Sequence, residues 1–452
     1  MDALKERQRV FFILYLGTFI FRFAFGTAAL LAITIMKNLG YGPFAIVAFA
    51  ISFSLPEGLL AGATGYATDI LDARIVLLSS AVIASISMLI YLAAYPFATN
   101  LQIFLMILII GHIVHGISSS LKVTPTVAVI TRYTEYRDRA RMMGFYDMIL
   151  MYGRICGLAV SGVLYSIFVN GSNNGFEAAE ALKAFLILAV IFIFTGFLFY
   201  MGLPHIPPER KGRVEHLWTR IFEHIGAGAK VMFGKLRRDQ GITWFTLACL
   251  WGLLFTLGPY TLMRDLGVDE EKTGFITAII VLFIGGTSPF WGYVADKIGR
   301  KKTATIGVLG LLITAMLGVL SYKVFNITYE DIEFYIILAP GIFCFASIGP
   351  SFLGRLGDTA VTGERGIVSS GFQFVTSMGE VTGVIIGGIG YYWGHKYFMG
   401  KAWEKWGGLI GIGIPALIFF FLTIIFGLRL KHDEVLLMEI RELEAKKHTY
   451  EA

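Results

Sequence analysis

The sequence predicts an all-α membrane protein of twelve transmembrane helices arranged as two pseudo-symmetric six-helix bundles. Three observations carry this. Of 452 residues, 56% are hydrophobic and 15% charged, against roughly 45–50% and 25% in soluble domains, and the mean hydropathy is +0.69. Apolar runs long enough to cross ~30 Å of hydrocarbon recur along the whole chain. The second six of these runs repeat residue patterns of the first six. A single water-soluble core stops growing near ~250–300 residues, so it cannot absorb this much apolar surface. A soluble enzyme, a disordered chain and a fibrous repeat are excluded.

In chain order the spans are expected at residues 10–36, 43–66, 75–95, 101–131, 142–169 and 182–203, then 241–263, 273–294, 303–322, 333–360, 366–394 and 407–430. The first run is too long for a signal-peptide core and lacks a small-residue cleavage site, so it is expected to remain as a span. The expected divisions are an N-terminal bundle over 1–203, a linker over 204–240, a C-terminal bundle over 241–430 and a tail over 431–452. Within the linker, Leu217, Trp218, Ile221, Phe222 and Ile225 recur at helical spacing among basic residues, the pattern of an amphipathic helix lying on a membrane surface. The tail from about Asp433 to Lys447 reads as a short charged helix with no evident chemistry.

Charge sets the orientation. The net charge is +6 and the basic residues sit in short loops between apolar runs, which is topology rather than nucleic-acid binding. With the N-terminus inside, the inner segments hold 26 Lys and Arg and the outer loops 8. Both termini and the linker are therefore expected in the cytoplasm of a cell (plasma) membrane protein surrounded by lipid. The triplets Asn170-Gly171-Ser172 and Asn326-Ile327-Thr328 fall in outer loops, in agreement. Cys156, Cys249 and Cys344 lie in apolar runs with no CxxC pair, so neither a disulfide frame nor a zinc site is expected.

An internal repeat organises the candidate residues. Gly65-Tyr-Ala-Thr-Asp69 after the second span has a counterpart in Gly292-Tyr-Val-Ala-Asp296 after the eighth. At an offset of 226, Arg139, Gly153, Gly157, Gly162 and Tyr165 of the fifth span match Arg365, Gly379, Gly383, Gly388 and Tyr391 of the eleventh. Duplicated halves of this kind hold their substrate between them near mid-membrane.

The loop Gly292-Tyr-Val-Ala-Asp296-Lys-Ile-Gly299-Arg300-Lys301-Lys302 resembles the G-x-x-x-D-x-x-G-R-[RK] signature of the major facilitator superfamily. The first-half copy keeps Gly65, Asp69 and Arg74, with Ile70, Asp72 and Ala73 in place of a basic residue, the glycine and a second basic residue. The run from Pro125 through Arg132, Arg139 and Gly144 resembles the family's fourth-to-fifth helix connection, and Asp358, Arg365 and Gly366 match it in the second half. The resemblance implies the family's fold and transport by alternating access. Asp69 and Asp296 would each accept amides at a neighbouring helix N-terminus, worth ~0.3–2 kcal/mol, and form a gate that ligands can bias.

Ionisable residues inside spans are costly and mark function by default. Arg22 lies ~18 Å into the first span and Lys122 ~15 Å from the inner end of the fourth. Tyr15, Thr18, Arg22 and Gly26 share one helical face, as do His115, Ser118, Ser119, Lys122 and Thr126. The resemblance implies that the first, fourth, seventh and tenth helices line the cavity. Arg22 and Lys122 are thus expected to contact an anionic substrate, with Tyr15, His115, Ser119, Trp251 and Tyr260 as further contacts. The alternative is internal pairing with Glu57 or Asp147. Glu57, Asp147 and Glu380 are candidate proton carriers, and Glu380 occupies the repeat position of Arg154. Permanent bridges from Glu57 to Arg22 and from Glu380 to Arg154 are the alternative. Arg355 is expected to pair with Asp358 or to reach the interface.

The leading expectation is a proton-coupled secondary transporter of a small organic anion or polar metabolite, acting as a monomer. The second is a proton/drug antiporter, although the run Gly153-Arg-Ile-Cys-Gly157 to Gly162 lacks the proline of many such exporters and carries a charge. The third is a non-transporting sensor or scaffold. No phosphate loop, metal cluster or nucleophile–base spacing is present, so an enzyme, a cofactor and a bound metal are not expected.

Overall fold

A computed structural model describes residues 2–169, 179–208, 223–253, 270–325, 331–360, 363–400 and 406–451. Ten helices in these residues are long and apolar enough to cross a membrane, and one bent helix pair makes an eleventh. The first half comprises α1 (Asp2–Asn38), α2 (Pro43–Leu59), α3 (Ala61–Ile70), α4 (Ala73–Ala93), α5 (Leu101–Tyr133), α6 (Arg139–Phe168) and α7 (Ala184–Gly202). A short α8 (Ala227–Phe233) precedes α9 (Arg238–Gly252), α10 (Glu270–Ile298), α11 (Arg300–Val324), α12 (Ile332–Phe345), α13 (Ile348–Asp358), α14 (Arg365–Phe398), α15 (Gly407–Leu428) and α16 (Asp433–Glu451).

Two expected spans are broken, each for a steric reason. The second span bends by 42° between α2 and α3. The break falls at Leu60, one turn after Pro56, whose ring removes a ladder hydrogen bond from the last turns of α2 while the Leu60 amide still reaches the Pro56 carbonyl. The tenth span breaks at Ala346 and Ser347. Ala346 stands four residues before Pro350, where the proline ring meets a helical carbonyl. The expected remainder of the seventh span, with Phe255, Gly258-Pro259 and Tyr260, lies outside the described residues, as do both Asn-x-Ser/Thr triplets and Leu217, Trp218, Ile221 and Phe222 of the linker.

Packing repeats as the sequence does. On α6, a Cβ at Gly153 would stand 2.6 Å from the Phe19 carbonyl oxygen, and one at Gly157 2.1 Å from that of Phe23. On α14 the matched Gly379 and Gly383 approach the carbonyls of Phe245 and Cys249 at 2.7 and 2.1 Å. In both halves glycine therefore lets the fifth-type helix touch the first-type helix backbone to backbone. Phe21, Leu31, Phe49, Phe104, Phe185 and Phe192 close the core of the first half. Val190, Phe194 and Phe197 on α7 face outward, as a lipid-facing surface requires.

The halves meet along two seams, α6 against α10 and α2–α3 against α14. We call the end of the bundle that carries the start of α1 and the helix α16 the tail side. There α16 forms over the stretch read as a short charged helix and, beyond that reading, its first turn binds the second half. Asp72 caps α4 by accepting from the Arg74 amide at 2.9 Å. Burial works against its charge, but hydrogen bonds from Arg74 and His205 hold its carboxyl below the ordinary range. In the second half Gly299 stands at that position with φ +101° and ψ 153°. The carboxylate facing the Lys301 amide, at 3.2 and 3.3 Å, comes from Asp433 of α16. Asp433 also pairs with Arg355 at 2.7 Å, so Arg355 is engaged by the tail rather than by Asp358. Leu436 and Ile440 anchor α16.

The Gly299 backbone lies in a region that only glycine occupies without strain of ~1–3 kcal/mol. Gly299→Ala is expected to lower the thermal midpoint of the purified protein by several degrees. Gly162→Ala, where a Cβ meets nothing within 4 Å, is expected to leave the midpoint unchanged or raise it. Thermal unfolding of the two variants in detergent checks the contrast.

Candidate functional site

On the tail side two carboxylates cap helices of the opposite half. Asp296, near the end of α10, accepts from the amides of Ala140 and Arg141 at 3.1 and 2.9 Å. Asp69, near the end of α3, accepts from Gly366 and Ile367 at 2.7 and 3.2 Å. Gly65 and Gly366 allow this approach: a Cβ on either would stand 2.5 or 2.2 Å from the other's carbonyl oxygen. Gly292 does the same against Ala140, at 2.4 Å.

The two corners differ in their guanidinium. Arg300, fully buried, pairs with Asp296 at 2.8 Å and with Asp358 at 2.9 Å. Asp358 also receives Arg139 from the other half at 2.7 Å. Ala73 stands where Arg300 would in the first half, and Arg74 pairs locally with Asp72 at 2.7 Å. Lys301 contributes its backbone amide to Asp433.

Asp296→Asn removes a negative charge from a helix N-terminus and from Arg300 together. It is expected to open the tail side by up to about thirty-fold in equilibrium constant. The readout is the alkylation rate of a cysteine placed at Ala295, fully buried here, in a background with the native cysteines replaced. Asp69→Asn should raise the rate less. Equal, unchanged rates in both would reduce the motif to a charged loop.

Further into the bundle, Arg22, Glu57, Lys122, His115, Arg154 and Glu380 come together around the axis, and no ion pair within 4.0 Å joins them among the described residues. The Arg22 Nε and Lys122 Nζ are buried without a hydrogen-bond partner, as are both ring nitrogens of His115. Aromatic faces take the place of counter-ions. Arg22 stands 5.3 Å and Arg154 6.0 Å from the centroid of Phe25, and Lys122 5.1 Å from that of Tyr146. Cation–π contact recovers part of what a carboxylate would supply. The His115 ring meets Phe25, Phe53 and Phe192 edge-on.

The carboxyls are held by hydroxyls. Glu57 accepts from Ser119 at 2.5 Å and from Ser377 at 2.8 Å. Glu380 accepts from Ser54 at 3.3 Å. A cleft between the halves is lined by Ile51, Ser54, Arg154, Trp251, Glu380 and Val384. Asp147 stands apart, on the α6–α10 seam, accepting from Ser288 at 2.8 Å. Tyr15 reaches α6, donating to the Met142 carbonyl at 2.9 Å. Tyr260 lies outside the described residues.

Sequence reasoning missed Ser54, Ser377 and Asp433. A signal for the serines exists: Ser54-Leu-Pro-Glu57 and Ser377-Met-Gly-Glu380 share one spacing. Asp433 carries no such mark.

Comparison with known proteins places this geometry. The profile described as Major Facilitator Superfamily matches residues 14–260 and 241–447. The puromycin resistance protein pur8 of Streptomyces alboniger is 26% identical over 146 residues, 32% of this chain and 27% of that protein. The oxalate:formate antiporter of Oxalobacter formigenes is 42% identical over 55 residues, 12% of this chain and 13% of that protein. The matches thus span about a quarter or less of these relatives. Among solved structures, the human organic anion transporter MFSD10 aligns at a TM-score of 0.67 with 16% identity, over 92% of this chain and 99% of that one. The proton:xylose symporter XylE aligns at 0.67 with 15% identity, over 94% and 95%. At these identities the structures share the fold.

Proposed function

Because the chain belongs to the major facilitator superfamily, we propose that it is a secondary active transporter that carries a small organic anion by alternating access, coupled to protons. The single observation that carries the anion is that the buried Arg22 Nε and Lys122 Nζ have no hydrogen-bond partner. A buried charge without a partner is expensive, and an anion bound between the halves relieves it. In this reading His115, Ser119, Trp251, Tyr15 and Tyr260 are the further contacts of the anion. Glu57 and Glu380, with Arg154 between α1 and the cleft, serve the coupling ion, and Asp147 serves the second seam. The likeness to an antiporter of oxalate and formate supports an anionic cargo.

In this reading the halves span residues 1–203 and 241–430, joined by 204–240, with 431–452 as a docked tail. The tail side faces the cytoplasm of the plasma membrane, following the Lys and Arg excess, and the protein works as a monomer. Gly65, Asp69, Arg74, Gly292, Asp296, Gly299, Arg300 and Lys301 form the gate, which stands closed on the tail side.

A second reading, a proton/drug antiporter, is favoured by the likeness to a puromycin resistance protein. Uptake into proteoliposomes under an imposed pH gradient, across a panel of carboxylates and cationic dyes, separates the two. Selective carboxylate accumulation is the expected result. Dye movement without carboxylate movement favours the exporter, and no flux of either favours a non-transporting scaffold.

A further inference from the structure

The serines that hold Glu57 and Glu380 belong to the opposite half. α2 and α14 run antiparallel, and their contacts follow in strict order. Phe44 meets Tyr392, with ring centroids 6.1 Å apart. Next along the seam, Ser54 donates to Glu380. Ser377 then donates to Glu57, and Gly65 meets Gly366 at the tail side. A Cβ on Gly58 would stand 3.0 Å from that of Ser377, so glycine brings the helices close at this level. Each helix thus offers one Ser-x-x-Glu turn, and each turn's serine binds the other's carboxyl.

We infer that Ser54 and Ser377 are positioning residues, forming with Glu380 and Glu57 a reciprocal clasp whose hold on the α2–α14 seam depends on the charge of the two carboxyls. Hydrogen-bond direction carries the argument. The Gln373 side-chain amide donates to Ser377 Oγ at 3.0 Å, which leaves the Ser377 hydrogen for Glu57. Ser119 donates to the other Glu57 oxygen. An ionised carboxylate only accepts, so it takes both hydroxyls; a neutral one carries a hydrogen of its own and competes with them. A proton on Glu57 therefore adds a donor where two already point, and the contact that crosses the seam is the one free to part. At Glu380 the single 3.3 Å contact faces the cleft, where water or a cargo can replace the serine.

The charged and titratable groups that act on the two carboxyls are Arg22 from α1 and Tyr146 and Arg154 from α6, while His115 and Lys122 from α5 stand behind Arg22. Arg22 and Arg154 act on both carboxyls, and Glu57 acts on Glu380. The clasp deepens the proton-coupled reading and rests on it for its physiological meaning, but it can be tested without a substrate.

The test uses the full chain with Cys156, Cys249 and Cys344 replaced and spin labels at Phe44 and Tyr392, both exposed. Dipolar broadening between the labels is followed from pH 8 to pH 5 by about unit steps across the range of perturbed carboxyls. The parent is expected to lose broadening on acidification. Ser54→Ala and Ser377→Ala are expected to lose at least about half of that pH response, while Ser54→Thr and Ser377→Thr, which restore the hydroxyl, keep it. Should an alanine variant not elute as one species, Glu57→Gln and Glu380→Gln supply the comparison and are expected to abolish the response. A pH response unchanged in the variants, or absent in the parent, overturns the clasp. Gradient-driven accumulation is measured on the same parent: its absence beside an intact seam response overturns proton coupling and leaves the clasp standing.

Discussion

Arg22→Gln and Lys122→Gln are each expected to reduce anion uptake by about 100-fold or more while leaving the protein as stable as before or more so. Removing one member of a desolvated charge pair costs ~2–5 kcal/mol of binding, which is roughly 30-fold to several thousand-fold in affinity. The pair here forms only with cargo, because the Arg22 Nε and Lys122 Nζ have no partner in the protein. In the resting state these two nitrogens go without hydrogen-bond partners, and although Arg22 also acts on Glu57 and Glu380, neutralising either side chain removes the cost of burying it. The opposite signs distinguish function from architecture. If Lys122 were a structural cation, its loss would lower the melting point along with uptake. Uptake of a carboxylate series and thermal unfolding, measured on the same preparations, decide between them.

Glu57→Gln and Glu380→Gln are expected to abolish gradient-driven accumulation while sparing exchange of anion for anion. For one proton carried with each anion, each unit of pH difference supports up to about tenfold accumulation. Without a titrating carboxyl the ratio should fall to about one. Exchange needs only the cargo site and the seams, and glutamine keeps an oxygen for Ser119, Ser377 and Ser54 to bind. Arg154 lines the same cleft as Glu380 with no ion pair between them, which leaves that carboxyl accessible to a proton. Intact accumulation in both variants would remove both residues from the coupling pathway and turn attention to Asp147.

Much of the fold was legible because the bilayer imposes one-dimensional rules. Span length follows from hydrocarbon thickness, and the matched glycines at Gly153, Gly157, Gly379 and Gly383 announced the backbone contacts they make. The breaks near Pro56 and Pro350 were visible as prolines. Their effect on two spans read as continuous was not, because a proline in a helix can bend or be absorbed. The site was legible in part for a similar reason. Arg22, Lys122, Glu57 and Glu380 stand out by the cost of charge at depth, whereas their partners do not. Ser54 and Glu380 are 326 residues apart, and serine is cheap anywhere in a helix. The bridges from Glu57 to Arg22 and from Glu380 to Arg154 were the alternative that charge alone offered, and among the described residues no ion pair within 4.0 Å forms there, the carboxyls being held by hydroxyls. Asp433 was invisible because its role arises from Gly299: once glycine replaces the local cap that Asp72 provides, the amide of Lys301 takes a carboxylate from 132 residues away.

The central claim is that these buried charges meet a cargo and its driving ion in a gap between the halves. The most direct measurement loads proteoliposomes with a fluorescent pH indicator and follows the lumen as a carboxylate is added outside. The account predicts a saturable pH change that requires the carboxylate, vanishes in Glu57→Gln and Glu380→Gln, and loses saturation in Arg22→Gln. A lumen that stays silent to every carboxylate, in vesicles where the same protein moves a cationic dye, would contradict it.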